Sequence, residues 1–197
     1  MRRFVIGMIA GIGFCLITVS AWAEIFGPQA VWTAPEDLDS RCREASNPGQ
    51  CVETVMRSTG ASIQALAIAK KCDFTCSLTE IGREGRVVSG TRSDLLFFSH
   101  NSDKPVLLNG QPDFIDVWSQ VPKDQVSQIL RPFKGAIAGF SPPSLLRAQS
   151  KPSGGQTFTY ESEVKQCRAC PVEAHILLDY DFDATGKFLG ANARLAR

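Results

Sequence analysis

Thr157-Phe158-Thr159-Tyr160-Glu161-Ser162-Glu163-Val164 alternates without a break. Phe158, Tyr160, Ser162 and Val164 fall on one face, and Thr157, Thr159, Glu161 and Glu163 on the other. Successive side chains of a strand point to opposite sides, so this is the pattern of a half-buried strand. The segment Gln166-Cys167-Arg168-Ala169-Cys170-Pro171 follows, and Val172 to Asp183 then predicts a second strand. Leu178, Tyr180 and Phe182 point inward in that strand, while Asp179, Asp181 and Asp183 take the polar face. Ala184-Thr185-Gly186-Lys187 reads as a turn, and Phe188 to Leu195 as a third strand. Three strands joined by short connections predict an antiparallel meander.

Upstream, Lys151-Pro152-Ser153-Gly154-Gly155 reads as a flexible link and Phe133 to Ser150 as irregular chain. Pro122 to Leu130 predicts a short helix with Val126, Ile129 and Leu130 inward, ended by Pro132. Asn109-Gly110 between apolar runs is a hairpin signal, and Pro112 places the following strand at an edge or delays its start. Arg86 to Ser99 is extended, with turns at Gly82–Gly85 and His100–Asp103. A helix can begin at Pro48, carrying Val52, Val55 and Met56 on one side. A second, capped by Ser62, spans Ile63 to Lys71, with Ile63, Leu66, Ala67 and Lys70 at helical spacing. Glu24 to Arg41 reads as an extended lead-in anchored by Trp32. The fold class expected is α+β: an antiparallel sheet with two or three short helices, stapled by disulfides.

The N-terminus points to export. Met1-Arg2-Arg3 is basic, Phe4 to Ala23 is uncharged, and Ala21-Trp22-Ala23 is a small-x-small end. This layout predicts a signal peptide over residues 1–23, cleaved after Ala23, with an uncleaved anchor as the competing reading. Residues 24–197 then form a single disulfide-containing domain, with no membrane span after cleavage. Loss of Arg2 and Arg3 takes the 21 basic residues to 19, against 20 acidic ones. No basic run stands out, which speaks against a nucleic-acid partner. Of seven cysteines, Cys15 leaves with the signal, and Cys42, Cys51, Cys72, Cys76, Cys167 and Cys170 remain. An even count in an exported chain reads as disulfides. Local pairing (42 with 51, 72 with 76, 167 with 170) is the simplest arrangement. Cross-pairing of 72/76 with 167/170 closes longer loops and stabilises more.

Several chemistries fail on residues. Cys-x-x-Cys-His haem attachment is blocked by Pro171. Calcium-loop spacing counted from Asp179 puts Ala184 where glycine is needed and Gly190 where glutamate is needed. A four-thiolate zinc site from residues 72, 76, 167 and 170 competes with disulfide formation in an oxidising compartment. Gly139-Phe140-Ser141-Pro142-Pro143 lacks the last glycine of a nucleophile elbow. No metal site and no cofactor are therefore expected. His100 and His175 are the two histidines, and His175 beside Asp179 or Asp181 would be an acid–base pair in principle. The alternation places His175 and Leu177 among Asp179 and Asp181, which marks this face as a candidate binding face.

The segments Ser58-Thr59-Gly60-Ala61-Ser62, Leu107-Leu108-Asn109-Gly110-Gln111-Pro112, Cys167-Arg168-Ala169-Cys170 and Asp181 to Gly190 resemble an uncharacterised group of exported bacterial proteins. The resemblance implies a periplasmic location and no named activity. The expected function is a non-enzymatic binding or accessory protein acting on another envelope protein, as an inhibitor or assembly factor. The alternative is a thiol-disulfide oxidoreductase using Cys167 and Cys170.

Overall fold

The computed structural model describes residues 26–96, 103–108 and 113–196. In chain order its elements are a 3-10 turn (Pro28–Ala30), α1 (Leu38–Cys42), α2 (Pro48–Ser58), α3 (Ile63–Lys70), β1 (Cys76–Arg83), β2 (Val88–Asp94), β3 (Lys104–Leu108) and β4 (Phe114–Asp116). There follow α4 (Lys123–Leu130), β5 (Ile137–Ala138), β6 (Ser144–Ser150), β7 (Gln156–Lys165), β8 (Ala174–Phe182) and β9 (Phe188–Leu195). The mixture of helices, antiparallel sheets and three disulfides agrees with the expected class. The details are richer: four α-helices rather than two or three, and nine strands in two sheets, among the described residues.

The first sheet has the order β1-β2-β3-β4. The second has the order β5-β7-β8-β9, with β6 also paired to β7. All strand pairings within them are antiparallel. The alternating stretch is β7, the spine of the second sheet. Its inward residues Phe158, Tyr160 and Val164 are buried with Ile176, Leu178, Tyr180 and Phe182 of β8. Phe158 meets Phe182 edge-on at 5.7 Å, and Tyr160 meets Tyr180 edge-on at 5.8 Å, an arrangement that aromatic quadrupoles favour. Val126, Ile129 and Leu130 of α4 pack on this core, as their spacing predicts. Val87, Leu107 and Val117 join the same cluster, so one core links the two sheets.

The first sheet's other face is covered by helix. Leu78, Val88, Val106 and Leu108 pack against Phe26, Ala30 and Ile68. Val52, Val55 and Met56 of α2 are buried as expected, in a third cluster with Trp32, Leu38 and Cys42. Asn47 caps α2 and Ser62 caps α3, each side chain accepting from a backbone N–H three residues on.

Four expectations need correction. Helix α3 buries Ala65, Ile68 and Ala69, while Ile63 is 83 % exposed. Nearly every residue of α3 is apolar, so spacing alone did not single out one stripe. Glu24 to Arg41 is not all extended, since it contains the 3-10 turn and enters α1 at Leu38. Phe133 to Ser150 holds β5 and β6. A register shift between Leu145 and Arg147 breaks the period-two pattern there, as a bulge does. Lys151 to Gly155 is the tight turn between β6 and β7, closed by Gly154 N–H to Lys151 C=O at 2.9 Å. The hairpin expected at Asn109-Gly110 is visible in its arms, where Leu108 pairs with Phe114. Its turn, the turn residues up to Ser102 that include His100, and the signal segment lie outside the described residues.

Candidate functional site

On the outer face of the second sheet, the aspartates have partners within the chain. Thr159 Oγ1 donates to Asp179 Oδ1 at 2.6 Å, and Arg194 Nε donates to Asp179 Oδ2 at 2.8 Å. Thr157 Oγ1 donates to Asp181 Oδ1 at 2.6 Å, and Lys151 Nζ lies 2.6 Å from the same oxygen. These partners sit where β7 and β9 place them: Thr159 is opposite Asp179, and Thr157 is opposite Asp181. Asp183 organises the β8–β9 turn by accepting from Thr185 and from the backbone of Lys187. The acid–base pair considered for His175 with Asp179 or Asp181 does not form. His175 Nδ1 instead lies 3.4 Å from Glu161 Oε1 without hydrogen-bond geometry. Leu177 is buried at the floor of an open hollow of about 710 Å³, flanked by Leu146, Arg194 and Leu195.

Partial burial raises the pKa of Asp179, but the hydrogen bonds from Arg194 and Thr159 and the charges of Arg194 and Arg147 outweigh it, so the carboxyl titrates below its ordinary range. A folded pKa below the unfolded one gives stability that is complete above the unfolded value and is lost as pH falls through the folded value. Melting temperature is therefore expected to fall below about pH 4, and Asp179→Asn to flatten that fall; an unchanged acid slope in the variant would contradict the assignment.

The sulfurs pair locally: Cys42 with Cys51, Cys72 with Cys76, and Cys167 with Cys170. Cys42–Cys51 ties α1 to α2 in their core, and Cys72–Cys76 staples the corner from α3 into β1. Cys167 and Cys170 close the turn between β7 and β8, with Cys170 N–H donating to Cys167 C=O at 3.1 Å. Pro171 leads into β8 rather than a helix, so Cys167 lacks the helix N-terminus that acidifies a redox thiol. Among the described residues there is no cluster of three or more His, Cys, Asp or Glu able to hold a metal ion.

A second set of groups without partners lies in a cleft between the sheets. Two cavities of about 390 and 290 Å³ share Pro105 and Pro143 as common walls. The larger is lined by Asp103, Asp116, Trp118 and Phe140. Trp118 is 39 % exposed. Gly139, at φ +90°, lies against its indole so closely that a Cβ there would come 2.3 Å from Cζ2. The smaller cavity has Glu80, Gly82, Glu84 and Thr91 on the first sheet, facing Leu145 and Tyr160 of the second.

Tyr160 is 2 % exposed, and its hydroxyl has no hydrogen-bond partner among the described residues. Tyr180, its neighbour, donates to the Val117 carbonyl. Burial, with the Glu84 carboxylate adding to it, pushes the Tyr160 pKa well above the ordinary tyrosine value and keeps the hydroxyl neutral. Glu80 and Glu84 make no ion pair among the described residues. The one basic residue of the larger cavity, Lys104, is 3.1 Å from Asp94, which also holds Arg92 at 3.1 Å.

The end of the cleft is fixed by Gln156. Its side chain accepts from Val87 N–H at 2.8 Å and donates to the Glu84 carbonyl at 3.0 Å, tying the β1–β2 turn to β7. Arg86 adds a hydrogen bond to the carbonyl of Ala184 in the β8–β9 turn. The sequence reading did not single out the cleft, because its residues come from β1, β2, β3, β4, β6, β7 and the connections between strands. Gly139-Phe140-Ser141-Pro142-Pro143 is the available signal, and in the sequence it reads only as a failed nucleophile elbow; that Trp118 lies beside it is seen in the fold. No protein-family model, no curated protein and no solved structure matches this chain.

Proposed function

We propose that this protein is a periplasmic, non-enzymatic accessory protein that binds a polypeptide of another envelope protein in the cleft between its sheets. Three disulfides suit an oxidising compartment, and the N-terminal segment has the layout of an export signal. Among the described residues no helix is long and apolar enough to cross a membrane. The observation that carries the reading is Tyr160, whose ring is buried in the core while its hydroxyl, without a partner among the described residues, opens to a cavity. A hydroxyl held on a ring that the core fixes, and facing a cleft, offers a ligand group a pre-positioned hydrogen-bond partner. The outer face of the second sheet supports the reading less, because its aspartates are already satisfied.

The test is affinity capture from periplasm with residues 24–197 and with Thr91→Trp, whose indole fills the smaller cavity. A partner retained by the parent and lost from the variant is expected. Equal capture by both contradicts a role for the cleft.

The oxidoreductase alternative is separated by redox titration of the Cys167–Cys170 pair. A staple in a β-turn is expected to resist reduction until below about −300 mV, whereas a pair reduced near about −200 mV would favour catalysis.

A further inference from the structure

Resting on the reading of the cleft as a polypeptide site, we infer that its occupant is an extended segment that inserts a lysine or arginine side chain between Glu80, Glu84 and the Tyr160 hydroxyl, with an adjacent apolar side chain against Trp118 and Phe140. Three observations converge on this chemistry. First, no basic residue lines the smaller cavity, and its two carboxylates have no ion pair among the described residues. Of the basic residues around it, Lys104 and Arg92 are engaged on Asp94, Arg92 also lies over the Phe114 ring at 5.4 Å, and Arg86 bonds the Ala184 carbonyl. An arriving cation therefore meets uncompensated negative charge, which steers association and fixes register.

Second, the Tyr160 oxygen is available as an acceptor for an N–H of an ammonium or guanidinium, while its own proton remains free to face Glu84. A hydrogen bond that involves an ionised partner is stronger than a neutral one. The hydroxyl sits on a ring locked in the core by Tyr180, so it pays little ordering cost on binding.

Third, the shape is that of a track with two stations. The cavities adjoin at Pro105 and Pro143, which suits neighbouring side chains of one extended chain better than a single compact ligand. The smaller station has Gly82 in its floor, with Ser89 Oγ 3.2 Å from where a Cβ would stand. The larger station offers aromatic surface and prolines, a wall for an apolar residue.

The inference is tested with the mature chain and fluorescein-labelled peptides that carry a Leu-Lys-Leu centre in a Gly-Ser frame. Matched peptides replace the lysine by arginine, acetyl-lysine or glutamate. Binding is read by anisotropy and by the emission of Trp118. The lysine and arginine peptides are expected to bind at least about tenfold more tightly than the acetyl-lysine and glutamate peptides, and to weaken as salt is raised. The double variant Glu80→Gln, Glu84→Gln changes exposed side chains and should fold as the parent does. It is expected to weaken the basic peptides roughly tenfold and leave the acetyl-lysine peptide unchanged. Tyr160→Phe should weaken the basic peptides severalfold. If the four peptides bind alike and all perturb Trp118, the polypeptide site stands and the cationic inference is overturned. If none of them binds, both are overturned.

Discussion

Phe182→Ala is expected to lower the unfolding free energy by about 3–5 kcal/mol, the range for removing a buried aromatic ring. Phe182 is fully buried at the end of β8, 5.7 Å from the Phe158 ring and 5.5 Å from that of Phe188. It thus joins three consecutive strands at one point. Strands cannot easily close over the space left behind, because each is held by its ladder to a neighbour. The measure is urea denaturation of the mature, oxidised chain. The midpoint should fall with little change in the slope, since the surface exposed on unfolding is nearly the same. A loss below about 1 kcal/mol would mean that Phe182 is not the keystone described.

Gln156→Leu is the second large effect, expected at about 2–4 kcal/mol. The side chain satisfies one backbone donor and one backbone acceptor on a turn of the other sheet. Leucine ends one atom short and cannot pair with either group, so the buried Val87 N–H and the part-buried Glu84 carbonyl lose their partner. Each orphaned group costs about 1–3 kcal/mol, and relaxation of the turn toward water recovers part of it. Hydrogen exchange separates this account from a simple packing loss: the Val87 amide should lose protection before the amides of β8 do. Gly85→Ala strikes the same joint from the other side, since its Cβ would lie 2.0 Å from Gln156 Nε2 at a residue with φ +123°. Both variants should also blunt peptide binding, because Glu84 belongs to the turn that Gln156 holds.

These effects also show where sequence pattern carries information and where it does not. The period-two runs of β7 and β8 placed Phe158, Tyr160, Leu178, Tyr180 and Phe182 in the core, and each is buried. Alternation is a local property, so a single sequence displays it. Local pairing of the cysteines was legible for the same reason, because short separations limit the geometry. Face selection in α3 was not legible, since its uniform apolarity offers no contrast between stripes. β6 was hidden by a bulge and by exposed residues such as Leu146, which is 52 % exposed. His175, Leu177, Asp179 and Asp181 all fall in β8, as the alternation implies. Its partners Lys151 and Arg194 come from outside β8, so the sequence pattern showed carboxylates without the cations that satisfy them. Conversely, Tyr160 read only as a core residue, which its ring is. That its hydroxyl opens into a cleft depends on where the first sheet stops, and periodicity does not encode that.

The relation between the two surfaces decides how the molecule works. On the outer face, Asp179 and Asp181 are paired within the chain, and His175 Nδ1 alone of the candidate face lacks a hydrogen bond. In the cleft, two carboxylates, an exposed indole and the hydroxyl of a core tyrosine lack partners among the described residues. The most direct test is site-specific photocrosslinking in the envelope of exporting cells. A photoreactive residue at Ser119, on the rim of the cleft, is compared with one at Asn192, on the outer face opposite Asp179. A discrete protein adduct from position 119, lost when Glu80→Gln and Glu84→Gln are added and missing from position 192, is the result predicted. An adduct that forms from position 192, or one from position 119 that persists in the glutamine background, would contradict the account.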